Sequence, residues 1–224
     1  MSAGKTLNRT IARPDPALVE AFRGLPSANV DDCMERMAAV GPRLLPMNKA
    51  PLLGTAFTVR VPQGDNLMVH KAMDLARPGD VLVIDAGGCM NRSILGGLMT
   101  QYCRARGLAG IVVDGCVRDR DELAEMDFPV YACGTSPNGP YKNGPGELNV
   151  PVRIGEQAVR PGDILLGDAD GLIVIPPEEA AALAAAARRV AEKERAILDG
   201  ILRRQQYPRP WVDEKLAGLG YENR

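Results

Sequence analysis

Histidine occurs once, at His70, so any site that needs two imidazoles is excluded, zinc held by a two-histidine helix included. Cys33, Cys89, Cys103, Cys116 and Cys133 are odd in number and form no CxxC pair. Cys103 and Cys116 sit in patterns that read as buried, so the five are expected to be reduced thiols. Aromatic residues make up only 4% of the chain, and no lysine-arginine block or interleaved aromatic run offers a surface for stacking bases. The 27 basic and 28 acidic residues leave a net charge of -1 and no field to draw nucleic acid, so no direct nucleic-acid partner is expected. No stretch approaches the roughly 20 apolar residues of a membrane span, and residues 1–10 lack an apolar signal core. The expectation is a soluble, cytoplasmic protein with no membrane partner. The nucleotide signatures GxxxxGK[ST] and complete GxGxxG are also missing.

What is present fits one main domain with appendages, since 224 residues bury one good core and rarely make two large ones. The polar first dozen residues are expected to fray. A short helix is predicted over Pro16 to Phe22, stopped by Gly24-Leu-Pro26. A second, capped by Ser27 or Asn29, carries Val30, Cys33, Met34, Met37 and Val40 at helical spacing as far as Gly41-Pro42. Gly54 to Val61 alternates as a strand, and Asp65 to Ala76 returns to helical spacing. Arg77-Pro-Gly-Asp80 and Arg160-Pro-Gly-Asp163 each precede an apolar run, so the same turn launches two strands, by internal duplication or by convergence. Further strands are expected at Pro129 to Cys133, Leu148 to Ile154 and Gly171 to Ile175. Between them, Gly134 to Gly146 is a Gly/Pro/Ser/Asn loop able to cover a site. From Pro177 the alanine run and charged Arg188 to Arg195 form a long helix. The tail beyond Gly200 carries Trp211, which is expected to dock on this chain or a neighbouring subunit.

The most informative stretch is Gly110-Ile-Val-Val-Asp-Gly-Cys-Val-Arg-Asp-Arg-Asp-Glu122, a buried-strand pattern that breaks at Gly115 and delivers Arg118 with Asp119. A guanidinium fork suits a carboxylate, and an aspartate offers hard oxygens to a divalent cation. Both needs meet in a 2-oxo acid. The plainer alternative is a surface helix start, with Asp119, Asp121 and Glu122 favouring its N-terminus. Upstream, the helix predicted from Ser93 to Arg106 opens with Gly96 and Gly97, which cost roughly 1 kcal/mol each against alanine inside a helix. Two uses would justify that cost: free N–H groups for an anion, or close packing of helix on sheet. His70 as a base beside Asp65 or Asp74, and Lys71 as a Schiff-base lysine, are weaker candidates on a helix that already carries core residues.

Asp114-Gly-Cys-Val-Arg-Asp119, preceded by Gly96-Gly-Leu-Met99 and followed by Asn149-Val-Pro-Val152, Arg160-Pro-Gly-Asp163 and Asp168-Ala-Asp-Gly171, resembles the RraA-like family from about Ser27 to Ala187. That family includes the regulator of ribonuclease activity A and the 4-hydroxy-4-methyl-2-oxoglutarate / 4-carboxy-4-hydroxy-2-oxoadipate aldolases, which also decarboxylate oxaloacetate. The resemblance implies an α/β fold, a swivelling β/β/α-type domain with mixed sheets, flanking helices and a long C-terminal helix. It further implies a homotrimer or homohexamer with sites at subunit clefts. On this reading residues 1–26 are an N-terminal extension, 27–187 the RraA-like domain, and 188–224 the end of the C-terminal helix and a tail packing on a neighbour. Arg118 would hold the 2-oxo acid, Asp119 would hold magnesium or manganese largely through waters, and the backbone of Gly96, Gly97, Leu98 and Met99 would bind the carboxylate.

A metal chelated by a 2-oxo acid stabilises the enolate left by carbon–carbon cleavage, so retro-aldol cleavage and decarboxylation share one requirement. One departure stands out: twenty-one positions before the arginine, where the aldolase branch has an acidic residue, this chain has Gly97. The expectation is therefore oxaloacetate decarboxylation with poor cleavage of 4-hydroxy-4-methyl-2-oxoglutarate, and a Gly97→Asp variant that shifts the balance toward cleavage. The reading from another class is a non-enzymatic regulator that binds a protein partner such as a ribonuclease.

Overall fold

An apolar run without a polar face must be covered on both sides, and in the computed structural model, which describes residues 4–221, the central strands are. Helices α1 (Pro16–Glu20) and α2 (Ser27–Asp32) lead to strands β1 (Leu45–Pro46) and β2 (Leu52–Arg60). Next come α3 (Leu67–Leu75), β3 (Asp80–Ser93), α4 (Gly97–Ala105), β4 (Gly110–Val117), α5 (Arg120–Glu125) and β5 (Val130–Thr135). Short strands β6 (Glu147–Leu148), β7 (Val152–Ile154) and β8 (Gln157–Val159) precede β9 (Ile164–Asp168) and β10 (Gly171–Ile175), and α6 (Ala180–Arg204) and α7 (Pro210–Gly218) close the chain. One mixed sheet runs β1-β5-β4-β3-β2-β9-β10, with β6 beside β2, while β7 and β8 form a separate hairpin. β2 to β5 are parallel, and β9 and β10 are antiparallel. The fold is thus the expected mixed α/β arrangement with flanking helices and a long C-terminal helix.

Alternation along the strands serves two cores. Phe57, Val59, Leu82, Ile84, Ile111 and Val113 face the side covered by α3 and α4. Ala56, Val81, Val83, Val112 and Tyr131 face the side covered by β7 and β8. A third cluster joins Phe22 and Val30 to Ile164, Ile173, Ala180 and Ala184. The two Pro-Gly-Asp turns are built alike. Gly79 and Gly162 take φ of 85° and 98°, and each aspartate accepts the N–H three residues earlier, Asp80 from Arg77 at 2.8 Å and Asp163 from Arg160 at 2.7 Å.

Several local expectations change. The residues before Ser27 are not frayed over 4–26: Leu7 bridges Leu148, and Arg13 clamps buried Asp80 with two bonds of 2.8 and 2.6 Å. The helical spacing from Val30 to Val40 stops at Asp32. Glu35 and Arg36 turn left-handed, Asp31 accepts the Ala38 N–H at 2.9 Å, and Ala39 bridges Ile173. Ser27 is the first helical residue, its N–H and hydroxyl both donating to Asp168 at 2.8 and 2.7 Å. β3 runs on to Ser93 through register shifts, so α4 opens at Gly97. The strand expected at Leu148 to Ile154 is broken by a left-handed Asn149. The tail, for which no element was foreseen, forms α7 with Trp211 in its first turn. The chain divides after Ala187 into two compact units.

Candidate active site

Parallel strands deliver their following loops to one edge, where ligands of open α/β sheets bind. Here the loops after β3, β4 and β5 are laced by backbone bonds: Ile94 N–H to Cys116 O at 2.8 Å, Arg118 N–H to Leu95 O at 3.0 Å, Ser136 N–H to Val117 O at 3.0 Å, and Ser93 N–H to Asn138 O at 2.9 Å. The consequence is that the Gly96-Gly97 start of α4 stands beside Arg118-Asp119 at the start of α5. Gly97 donates its N–H to Asp119 Oδ2 at 2.8 Å. Arg118 Nε lies 3.7 Å from the same oxygen, both side chains being about half exposed. An ion pair this open contributes little stability.

For the glycine pair, left open between an anion site and helix-on-sheet packing, the contacts show what the two residues approach. A Cβ on Gly96 would overlap Asp119 Oδ2 and lie 2.8 Å from Arg118 Cγ; a Cβ on Gly97 would overlap the Glu122 carboxylate. Gly96 has φ -149°, which any residue adopts, so its need is steric. The nearest obstacles are thus side chains of the α5 segment, two of them carboxylates. In the sequence Glu122 reads only as one of the acids favouring a helix start; its spacing from Asp119 places both in one first turn but does not say what they face.

The loop foreseen at 134–146 does border this corner. A Cβ on Gly139 would sit 3.4 Å from Arg118 Nη1. Arg92, which the sequence reading missed, donates to Gly139 O and to the Tyr141 hydroxyl, both at 2.8 Å, with its guanidinium 4.1 Å from the Tyr141 ring centre. Buried Asp65 accepts the N–H groups of Asn143 at 2.6 Å and Gly144 at 3.0 Å. Leu98 is exposed, whereas Met99 packs against the core, so that turn can offer a ligand its amides more readily than its side chains. His70 and Lys71 make none of these contacts.

Nearby groups are poor nucleophiles. Burial, together with the hydrogen bond to Asp114 at 3.2 Å, pushes the Cys133 thiol up to about 12, and burial also raises Cys116. Asp114 itself is paired with Arg43 at 2.6 Å. For a divalent metal the donor set is sparse: no three His, Cys, Asp or Glu side chains gather among the described residues. One half-exposed carboxylate with room for water is nevertheless what magnesium commonly takes. Asp119 would hold it, beside Arg118. A cavity of about 600 Å³ lined by Cys33, Glu35, Arg160 and Asp163 includes none of these residues.

The class so defined is an α/β protein with an arginine–carboxylate corner set against a glycine-opened helix at the strand ends. The RraA-like family profile, described as Aldolase/RraA, matches residues 27–174, and the chain belongs to that family. It is 38% identical over 194 residues, 84% of this chain and 92% of the other, to a Halalkalibacterium halodurans protein named provisionally as a 4-hydroxy-4-methyl-2-oxoglutarate aldolase. It is also 38% identical over 128 residues, 57% of this chain and 77% of the other, to the 4-hydroxy-4-methyl-2-oxoglutarate aldolase of Thermus thermophilus. Among solved structures, a Streptomyces coelicolor protein described as an unusual member of the RNase ES inhibitor RraA family aligns with TM-score 0.71 at 27% identity, covering 83% of this chain and 98% of that one.

Proposed function

We propose that this chain is a divalent-metal-dependent carbon–carbon lyase acting on 2-oxo acids, cleaving hydroxy acids of the 4-hydroxy-4-methyl-2-oxoglutarate kind and decarboxylating oxaloacetate. The observation that carries the reading is the Asp119 carboxylate on the Gly97 amide beside Arg118. There a protein carboxylate stands in for a substrate carboxylate, so the first N–H of α4 is suited in direction and charge to such a group. Arg118 supplies the forked donor for the 2-oxo acid, and the amides of Gly97, Leu98 and Met99 receive its carboxylate. Asp119 would hold magnesium or manganese, which would supply a Lewis acid for the negative charge that develops on the keto oxygen. The aldolase names of two relatives support the reaction class. The inhibitor name of the Streptomyces protein supports the other reading, a regulator that acts by binding a protein.

Oxaloacetate decarboxylation, measured against the protein-free metal rate, separates the two readings. Activity should need magnesium or manganese, and Asp119→Asn should lower it by about 100-fold or more, the scale of losing one electrostatic group at a reacting centre. Full activity in excess chelator would exclude the metal. Absence of activity under every metal would leave the regulator.

A further inference from the structure

Cleavage of a hydroxy acid must remove a proton from its hydroxyl, and the groups at this corner can be assigned one by one. Arg118 has no acceptor for a proton, since a guanidinium only donates. Asp119 meets the Gly97 amide where a substrate carboxylate would otherwise sit, and is the carboxylate assigned to the metal. His70 lies on α3 and makes none of the corner contacts. Cys133 and Cys116 are held as thiols, and buried Asp114 is paired with Arg43. Asp121 and Glu125 of α5 are exposed as well, but it is the Glu122 carboxylate that meets the start of α4. Glu122 is exposed, forms no ion pair or side-chain hydrogen bond among the described residues, and lies against Gly97 with Oε1 2.7 Å from where a Cβ would stand.

Resting on the lyase reading, we infer that Glu122 is the general base of retro-aldol cleavage, its carboxylate occupying from α5 the space that Gly97 leaves open on α4. Gly97 therefore does not deprive the corner of a second carboxylate. Glu122 takes the proton of the C4 hydroxyl directly or through one water. The C3–C4 bond breaks with its electron pair passing to C3, and the former hydroxyl oxygen becomes the carbonyl of the released 2-oxo acid. The proton is returned to C3 of the remaining enolate, so 4-hydroxy-4-methyl-2-oxoglutarate gives two pyruvates and nothing else is consumed. Decarboxylation has no hydroxyl proton to remove and depends on Glu122 less.

The geometry permits a reciprocal test. Glu122→Ala removes the carboxylate; adding Gly97→Asp to Glu122→Ala puts one back from the opposite helix, into space the first substitution has emptied. Both activities are measured on each protein, with thermal shifts by magnesium plus oxalate reporting ligand binding independently of turnover. Wild type should cleave the hydroxy acid. Glu122→Ala should lose about 100-fold or more in kcat for cleavage, the usual worth of a general base, while decarboxylation falls at least tenfold less and the oxalate shift persists. The double variant should regain at least tenfold of the lost cleavage. Equal losses of the two activities, or wild type that decarboxylates without cleaving, would overturn the role of Glu122 and leave the lyase reading standing. Wild type inactive on both substrates would overturn both. If Glu122→Ala fails to fold, Glu122→Gln, which keeps the size and removes the base, must show the same selective loss.

Discussion

The claim that Gly96 and Gly97 exist for the approach of carboxylates, and not for helix-on-sheet packing, makes a quantitative demand on two alanine variants. In Gly96→Ala the new methyl overlaps Asp119 Oδ2 and crowds Arg118 Cγ at 2.8 Å. Asp119 must leave the Gly97 N–H, a bond to a charged group of a kind worth about 1.5–3 kcal/mol. Asp119 is 42% exposed, so water replaces part of that bond and roughly 1 kcal/mol is lost. Displacing the Arg118 stem adds about 1 kcal/mol, and the smaller entropy of the unfolded alanine chain returns about 0.5 kcal/mol. The net expectation is a loss of about 1–2 kcal/mol. In Gly97→Ala the three nearest obstacles are all atoms of the Glu122 carboxyl end, which is exposed and free to swing away. No hydrogen bond is broken, and alanine gains up to about 1 kcal/mol over glycine in a helix. That variant should be neutral or slightly stabilised.

For a chain of this size 1 kcal/mol moves Tm by about 2–4 °C, so Gly96→Ala should melt about 3–6 °C below wild type and Gly97→Ala at or above it. Urea titrations give the same order as free energies. The decisive control is Gly96→Ala on an Asp119→Ala background, where most of the penalty should vanish because the overlapping atoms are gone. Equal losses from the two alanines, or a Gly96→Ala penalty that survives in full without Asp119, would refute the reasoning and return the glycines to plain packing.

Arg13→Ala should cost about 2–3 kcal/mol by urea denaturation, because it strands the Asp80 carboxylate, 1% exposed, that Arg13 now meets with two bonds; Arg13→Lys should recover only part, lacking the fork. Stability should also fall in alkali. Burial raises the thiols of Cys103 and Cys133 from an ordinary 9.0 to about 12, so above pH 9 the folded chain holds protons that the unfolded chain has released. The contribution is fully present below about pH 9 and is lost between 9 and 12, at up to about 1.4 kcal/mol per pH unit for buried Cys103 and less for the partly exposed Cys133, where water screens the effect. Cys103→Ala should flatten that decline in urea midpoints measured across the range, and an unchanged slope would exclude the assignment.

The parts of this fold that were legible in the sequence are those where one local rule and the tertiary context agree. Gly110 to Val117 has no polar face because both its faces are buried, and each Pro-Gly-Asp turn closes on itself through its own aspartate. Where the two disagreed, local spacing misled. Val30 to Val40 keeps helical spacing, yet its second half leaves the helix and reaches the β10 edge at Ile173, so apolar periodicity there reflects burial without helix. Arg92 reads as one charge among many in a glycine-rich stretch; only the fold brings Tyr141, 49 positions away, under its guanidinium. Arg118 and Asp119 stand out as candidates in the sequence because their chemistry is adjacent there. The approach of Glu122 to Gly97, 25 positions earlier, is visible only in the fold.

Asp119 shows how small a change in backbone separates the two readings of this corner. An aspartate ahead of a helix with glutamate three residues on is the pattern of a capping box, and an ordinary N-cap has extended backbone that aims its side chain at the N–H groups of its own helix. Asp119 instead takes φ 59° and ψ 45°, and makes no side-chain bond to α5. Left-handed backbone costs a non-glycine residue on the order of 1 kcal/mol, least for Asp and Asn. The turn is held by the Leu123 N–H on Asp119 O at 3.0 Å and the Arg118 N–H on Leu95 O at 3.0 Å. Its effect is to rotate the carboxylate away from the helix it would otherwise cap and onto the first amide of α4. The strain thus turns a would-be cap of α5 into a half-exposed carboxylate set between Arg118 and the first amide of α4, the arrangement on which the proposed lyase function rests.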